Sequence, residues 1–199
     1  MAATPAKARP QRADARRNVS AILDAAMVCL QRDPAASLSQ IAAEAGLGRI
    51  TVYGHFRTRA ELIEAVLAEA MSSADEVLDD VELSGDPVEG VAMLASASWR
   101  MVEQFRMVLH AAQRELPSER IRDTHDRVMK RIAELLERGR EQGRFRTDVP
   151  TEWLVATAVS LMHTAANEVD AGRVDAEQVG WYVVTTLLGA ISPPASPPR

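Results

Sequence analysis

One short stretch, from Ser37 to Glu61, contains three helix starts and a helix stop, and their spacing limits the local fold more tightly than any other part of the sequence. Ser37 followed by Gln40 is a capping box: the hydroxyl accepts the N–H of the third helical residue, and that residue's side chain returns to the cap. A helix therefore begins at Leu38, with Ile41, Ala42 and Ala45 as its apolar face. Gly46 can take the left-handed conformation that ends a helix, and Leu47 is placed to plug the space before the next one. Gly48, a weaker cap than Ser, opens a second helix over about Arg49 to His55. Thr58 and Glu61 form another capping box and open a further helix at Arg59. Two helices of about seven residues joined by a short glycine-containing turn make a helix-turn-helix. So short a turn forces a steep crossing and leaves one face of the second helix pointing outward.

The rest of the chain reads as helices joined by short connections, without strand alternation or internal repeat. Residues 1–11 are Ala, Pro and basic, and are expected to be a flexible arm. A first helix runs from about Asp14 to Arg32, striped by Val19, Ile22, Ala26 and Leu30. The helix opening at Arg59 continues to about Val81. Asp86, Pro87 and Glu89 start a long segment to Glu115, expected to be two helices. Pro117 separates it from a helix over about Ser118 to Gln142, striped by Ile121, Val128, Ile132 and Leu135. After the turn around Gly139, Gly143 and Phe145, Pro150 restarts helix to about Ala171. Asp175 with Gln178 caps a last helix to about Ile191. The expected fold is all-α with about nine helices. An N-terminal three-helix domain (12–58, with the helix-turn-helix at 37–56) precedes a larger helical domain (59–192), and a Pro-rich tail (193–199) is expected to be disordered. Scarce aromatics, 4% of residues, agree with helices rather than β-sandwiches.

The charge is unevenly placed. Residues 1–60 carry nine Lys and Arg against four Asp and Glu, while the remainder carries fourteen against twenty-four. A basic head on an acidic body is expected where only the head meets phosphates, or where a basic tail alone inflates the count. The single cysteine, Cys29, permits no disulfide within one chain, and the basic start is followed by no apolar leader, so a cytoplasmic protein is expected. The longest apolar run, Val179 to Ile191, is too short to cross a bilayer, and no membrane partner is expected. The four histidines lack metal-ligand spacing, and no phosphate-binding glycine loop or nucleophile elbow is present. No cofactor is expected.

From about Arg16 to Val66 the sequence resembles the TetR family of bacterial regulators. Ile41-Ala42, Ala45-Gly46-Leu47, Thr51-Val52-Tyr53, His55-Phe56, Arg59 and Leu62 stand in that family's order and spacing. Further along, Gly139, Gly143, Phe145, Arg146 and Asp148 look like the family's turn before its dimerisation helices. The resemblance implies a homodimer whose two heads enter successive major grooves of a palindromic operator, acting as a repressor. It also implies a small-molecule effector in the C-terminal domain that releases the DNA. Gly48 stands where the family commonly has a Ser cap, and Ile50 where it often has a small residue. Ile50 can touch a thymine methyl and so alter sequence preference.

On that reading Arg49 either makes a bidentate guanine contact or meets a phosphate or solvent. Thr51 and Tyr53 suit phosphate oxygens, with a core aromatic as the other reading of Tyr53. His55 is a phosphate contact or a structural histidine. Arg59 opens a helix, where a cation is unfavourable for the dipole unless a phosphate lies near. Arg16 and Arg17 start the first helix, and Ser37 and Ser39 lie near the N-terminus of the second. All four are candidate backbone contacts.

The sensing site is read from apolar and embedded polar residues: Trp99, Phe105, His125, Met129, Met162, His163 and Asn167. Ordinary core packing is the competing reading for each, and a dimer interface competes for His163 and Asn167. The last two helices are apolar on almost all sides, so they are either central in their own domain or shared with a second copy. Leu154, Ala158, Leu161, Ala165, Val183 and Leu187 are the expected interface. Two other functions stay open. A DNA-binding dimer without an effector would show no thermal shift in a ligand screen. An all-helical enzyme would have to rely on His110, Arg114, Glu115 and His125.

Overall fold

The computed structural model of the chain describes residues 8–194, with side chains from 13 onward. Within that range the protein is all-helical: α1 (Ala8–Arg32), α2 (Leu38–Glu44), α3 (Arg49–His55), α4 (Arg59–Asp79), α5 (Pro87–Glu115), α6 (Ser118–Asp123), α7 (Asp126–Glu141), α8 (Thr151–Asp170) and α9 (Ala176–Ile191). Two compact units emerge. One takes the chain up to Glu69 together with Met107–Ser118, and the other takes Ala70–Arg106 and the chain from Glu119 onward. The division between these units falls within α4, and α5 supplies residues to both.

In the first unit α2 packs on α1 and α3. Its core holds Ile22, Ala26 and Leu30 of α1, Ile41 and Ala42 of α2, Val52 of α3, and Leu62, Ile63 and Val66 of α4, with Phe56 between α3 and α4. Helix α1 begins at Ala8, inside the expected arm, because Arg, Gln and Ala favour helix and Pro10 is tolerated in a first turn. The rest of the arm, 1–7, and the tail beyond 194 lie outside the described residues.

In the second unit α8 lies between α7 and α9. Leu135, Leu136, Leu154, Val155, Ala158, Met162, Val179, Val183, Leu187 and Ile191 are buried together with Leu94 and Trp99 of α5. A methyl group at Gly180 would approach Trp99 Cδ1 to 2.9 Å, so this glycine lets α9 lie against the indole. Gly139 likewise leaves room for the Phe145 ring. Arg140 then ties the turn together. Its guanidinium donates to the Arg146 carbonyl (2.9 Å), the Val149 carbonyl (2.6 Å) and the hydroxyl of Thr151, a buried polar residue.

Two expected helix counts change. The segment to Glu115 is one helix, since nothing between Gly90 and Pro117 breaks it and Ser96 returns its hydroxyl to the Ala92 carbonyl (2.8 Å). The segment after Pro117 is two helices. Thr124 Oγ1 (2.6 Å) and His125 Nδ1 (2.7 Å) both take the Ile121 carbonyl, which diverts it from the helical ladder. No helix among the described residues is long and apolar enough to cross a membrane.

Candidate functional site

The helix-turn-helix has the geometry its sequence demands. The Ser37 hydroxyl accepts the Gln40 N–H (3.3 Å), and Gln40 Oε1 accepts the Ser37 N–H (2.7 Å). Gly46 sits at φ 65°, the left-handed conformation. The amide of Leu47, itself partly buried, then donates to the Ala42 carbonyl (3.0 Å), closing the turn. Gly48 caps α3 through its backbone alone. The second capping box differs in detail: Thr58 Oγ1 accepts the Glu61 N–H (3.1 Å), while Glu61 returns to the Arg57 N–H (2.7 Å).

One side of α3 faces inward through Val52, and the opposite side is open. Ile50 is 90% exposed and Tyr53 49% exposed, with Arg49 beside them. Tyr53 is therefore not a core aromatic. Phe56 takes that place. Thr51 and His55 are partly buried at the edges of the exposed face. Arg16 and Arg17 are exposed on α1, Arg17 pairing with Asp14. Ser37 is exposed but spends its oxygen on the cap, and Ser39 is partly buried.

Arg59 stands apart from the expected set. Its guanidinium donates to the Ala36 carbonyl (2.7 Å) and the Pro34 carbonyl and pairs with Glu115 at the end of α5. The pair is largely buried, with side-chain exposures of 21% and 30%. Its unfavourable position at a helix N-terminus thus has an intramolecular explanation, and no phosphate is needed to account for it. Arg57, absent from the expected set, is exposed between α3 and α4 and has no ion-pair partner among the described residues. Its signal in the sequence was only its place beside the second capping box.

In the second unit, the residues expected to sense a ligand separate into four groups. Trp99 and Met162 belong to the packed core. Asn167 is exposed and lines no interior. His125 and His163 do come together, their rings edge to face with centroids 5.2 Å apart. Burial lowers the pKa of His125 and takes His163 to about 4. Met129 and Phe105 are partly buried. Asp75 of α4, unremarked in the sequence, acts electrostatically on His125, and burial raises its own pKa.

The expected interface residues lie as follows. Leu154, Ala158, Ala165, Val183 and Leu187 are buried inside a single chain, and Leu161 packs against the same core. What α8 and α9 leave open is another face: Trp153, Ala156, Ser160, Thr164 and Asn167 on one, and Trp181, Tyr182, Thr185 and Gly189 on the other. Trp153 is 65% and Trp181 68% exposed, and the only exposed charges on these stripes are Glu152 and Glu177, near the helix starts. Both sides of α8 are apolar or neutral, so periodicity alone did not say which turned inward.

Comparison with known proteins places both parts of the chain. The model for bacterial regulatory proteins of the tetR family matches residues 22–66, and that for the tetracyclin repressor-like C-terminal domain matches residues 87–169. The HTH-type transcriptional repressor LfrR of Mycolicibacterium smegmatis is 36% identical over 69 residues, which span 35% of this chain and 36% of that protein. Among solved structures, TetR-like LfrR from Mycobacterium smegmatis in complex with proflavine has a TM-score of 0.66 at 24% identity, covering 89% of this chain and 98% of that one. The regulator FadR from Bacillus subtilis in complex with stearoyl-CoA has a TM-score of 0.72 at 16% identity, covering 86% and 98%. These structures share the fold. With a helix-turn-helix in its first part, a helical domain following in sequence and a family model matching each, the chain belongs to the TetR family of bacterial transcriptional regulators.

Proposed function

We propose that the protein is a homodimeric transcriptional repressor of the cytoplasm, without catalytic activity, that occupies a palindromic operator and leaves it when a small molecule binds the helical domain. The exposed face of α3 carries this reading: Arg49, Ile50 and Tyr53 project from a helix fixed by Val52, as a base-reading helix requires. Arg49 and Ile50 read base edges, and Thr51, Tyr53, His55, Arg16, Arg17 and Ser39 position the backbone, joined by Arg57. Ser37 reaches phosphate while capping α2. Dimerisation uses the open face of α8 and α9, centred on Trp153, Trp181 and Tyr182. The effector is sensed around His125 and His163. The likeness to a repressor and to regulators crystallised with proflavine and stearoyl-CoA supports a ligand-responsive protein.

The test is binding to a duplex from upstream of the protein's own gene, over a range of salt, with a scrambled duplex as control. Affinity for the true site is expected to exceed the control by about a thousandfold, and its logarithm to fall linearly with log salt. Equal weak binding to operators recovered by genome-wide selection and to scrambled DNA overturns the reading.

A further inference from the structure

Helix α1 is held to its unit on one side only. Ile22, Ala25, Ala26 and Leu30 are buried there. The opposite side stays open: Ala13, Arg16, Ser20 and Asp24 are exposed, and Met27 is half-buried. Along this helix runs a groove of about 340 Å³, lined by Val19 and Leu23 and bordered by Arg16, Ser20, Asp24 and, on α4, Glu69. Arg16, Asp24 and Glu69 have no ion-pair partner among the described residues.

The order of these groups along α1 is self-complementary. Arg16 and Asp24 lie four residues to either side of Ser20, and Ala13 and Met27 seven to either side. Steps of four and seven keep residues on one face of a helix. A second α1 laid antiparallel, on a two-fold axis through Ser20, therefore sets each Arg16 against the partner's Asp24 and each Ala13 against the partner's Met27. Ser20 meets its own copy at the centre, where a small side chain admits a close helix approach. Glu69 borders the same groove and adds a second carboxylate for the incoming guanidinium. Parallel pairing would instead face Arg16 with Arg16 and Asp24 with Asp24. DNA fits this strip poorly as a whole, because Asp24 and Glu69 repel phosphate.

We propose that in the DNA-free dimer α1 of one protomer docks antiparallel on α1 of the other, each Arg16 pairing with the partner's Asp24. The inference rests on the reading above that the protein is a dimer. That tether matters, since exposed ion pairs contribute little by themselves, whereas chains already joined meet at a high effective concentration. Arg16 is also proposed to meet phosphate, so the contact competes with operator binding and keeps the heads idle.

The full-length protein carrying Ser20→Cys and Cys29→Ser tests it with one thiol per chain, Cys29 being the only native cysteine. Two thiols on the axis fall within the roughly 7 Å between Cα atoms that a disulfide spans. Mild oxidation is expected to join two chains on a non-reducing gel while the protein still sediments as a dimer. Adding Asp24→Arg alone, or Arg16→Asp alone, sets like charges together and should slow joining by roughly tenfold or more. Both reversals together should restore it, because the pairs re-form with their signs exchanged. Excess operator duplex, recovered by genome-wide selection, should slow it in the parent. Every substituted charge is exposed, and unchanged melting temperatures show that the variants fold. Joining that ignores the single reversals, is not restored by the double one, or is indifferent to operator overturns the contact, as does oxidation that links dimers into tetramers. Sedimentation before oxidation separates the two failures. A monomer sinks the dimer reading, whereas a dimer whose thiols stay apart sinks only the contact.

Discussion

At the scale of single residues, the side chains on α3 and those flanking it differ in what they can report. If Arg49 reads bases as proposed, Arg49→Ala is expected to relax specificity at one operator position by about 1–3 kcal/mol. Arg57→Ala or Tyr53→Phe removes a proposed backbone contact. Either should weaken all sequences alike, and Arg57→Ala should lower the salt slope by about one. Competition binding on an operator library distinguishes the two classes, and a uniform loss for Arg49→Ala would show that α3 does not read sequence. His163 makes a prediction about stability. Its folded pKa lies near 4 against 6.5 for the free ring, so between those values the unfolded chain takes up a proton that the folded chain refuses. Stability is therefore full above pH 6.5 and declines as pH falls toward 4, by at most about 3 kcal/mol from this residue. His125 works in the same direction, and Asp75, raised by burial, in the opposite one. Urea denaturation across this range should show a shallower decline for His163→Phe. Parallel curves would mean that the ring titrates freely in the folded protein.

At the scale of elements, local chemistry was legible and long-range chemistry was not. Both capping boxes, the turn at Gly46 and the buried Phe56 follow from residues within a few positions of one another, and the helix-turn-helix appears where its spacing put it. The capture of Arg59 by Glu115 joins residues far apart in sequence, and no pattern around either one announces it. The break at Thr124 and His125 escaped because the apolar stripe from Ile121 to Val128 runs across it undisturbed. Two substitutions probe elements directly. Gly180→Ala should force α9 off Trp99 and cost about 1–3 kcal/mol in thermal or urea unfolding. Glu115→Gln should free Arg59 from its charged partner. A rise in operator affinity would then show that Glu115 withholds this cation from DNA, while unchanged affinity with a lower melting temperature would show that the pair only braces the loop before α2.

At the scale of the whole molecule, the proposed assembly rests on the open face of α8 and α9. Trp181→Glu with Trp153→Glu is expected to shift sedimentation from dimer to monomer while leaving the single-chain core intact, since neither indole is buried. Operator affinity should then drop steeply, because half-sites bound one at a time lose the effective concentration that linkage confers. A dimer that survives both charges would place the interface elsewhere.

Helix α5 gives its first part to one compact unit and Met107–Glu115 to the other, where Val108, Leu109, Ala111 and Ala112 are buried. The reader is thus discontinuous along the gene. Recombination that exchanges a single upstream segment delivers α1 to α4 without the piece of α5 they were packed with, including Glu115. A functional chimera would need two crossovers, or a recipient whose own α5 supplies a compatible end. Truncation after Glu69 should likewise yield a head that melts well below the intact protein. Lineages of such regulators would then inherit reader and sensor together more often than a two-module diagram suggests.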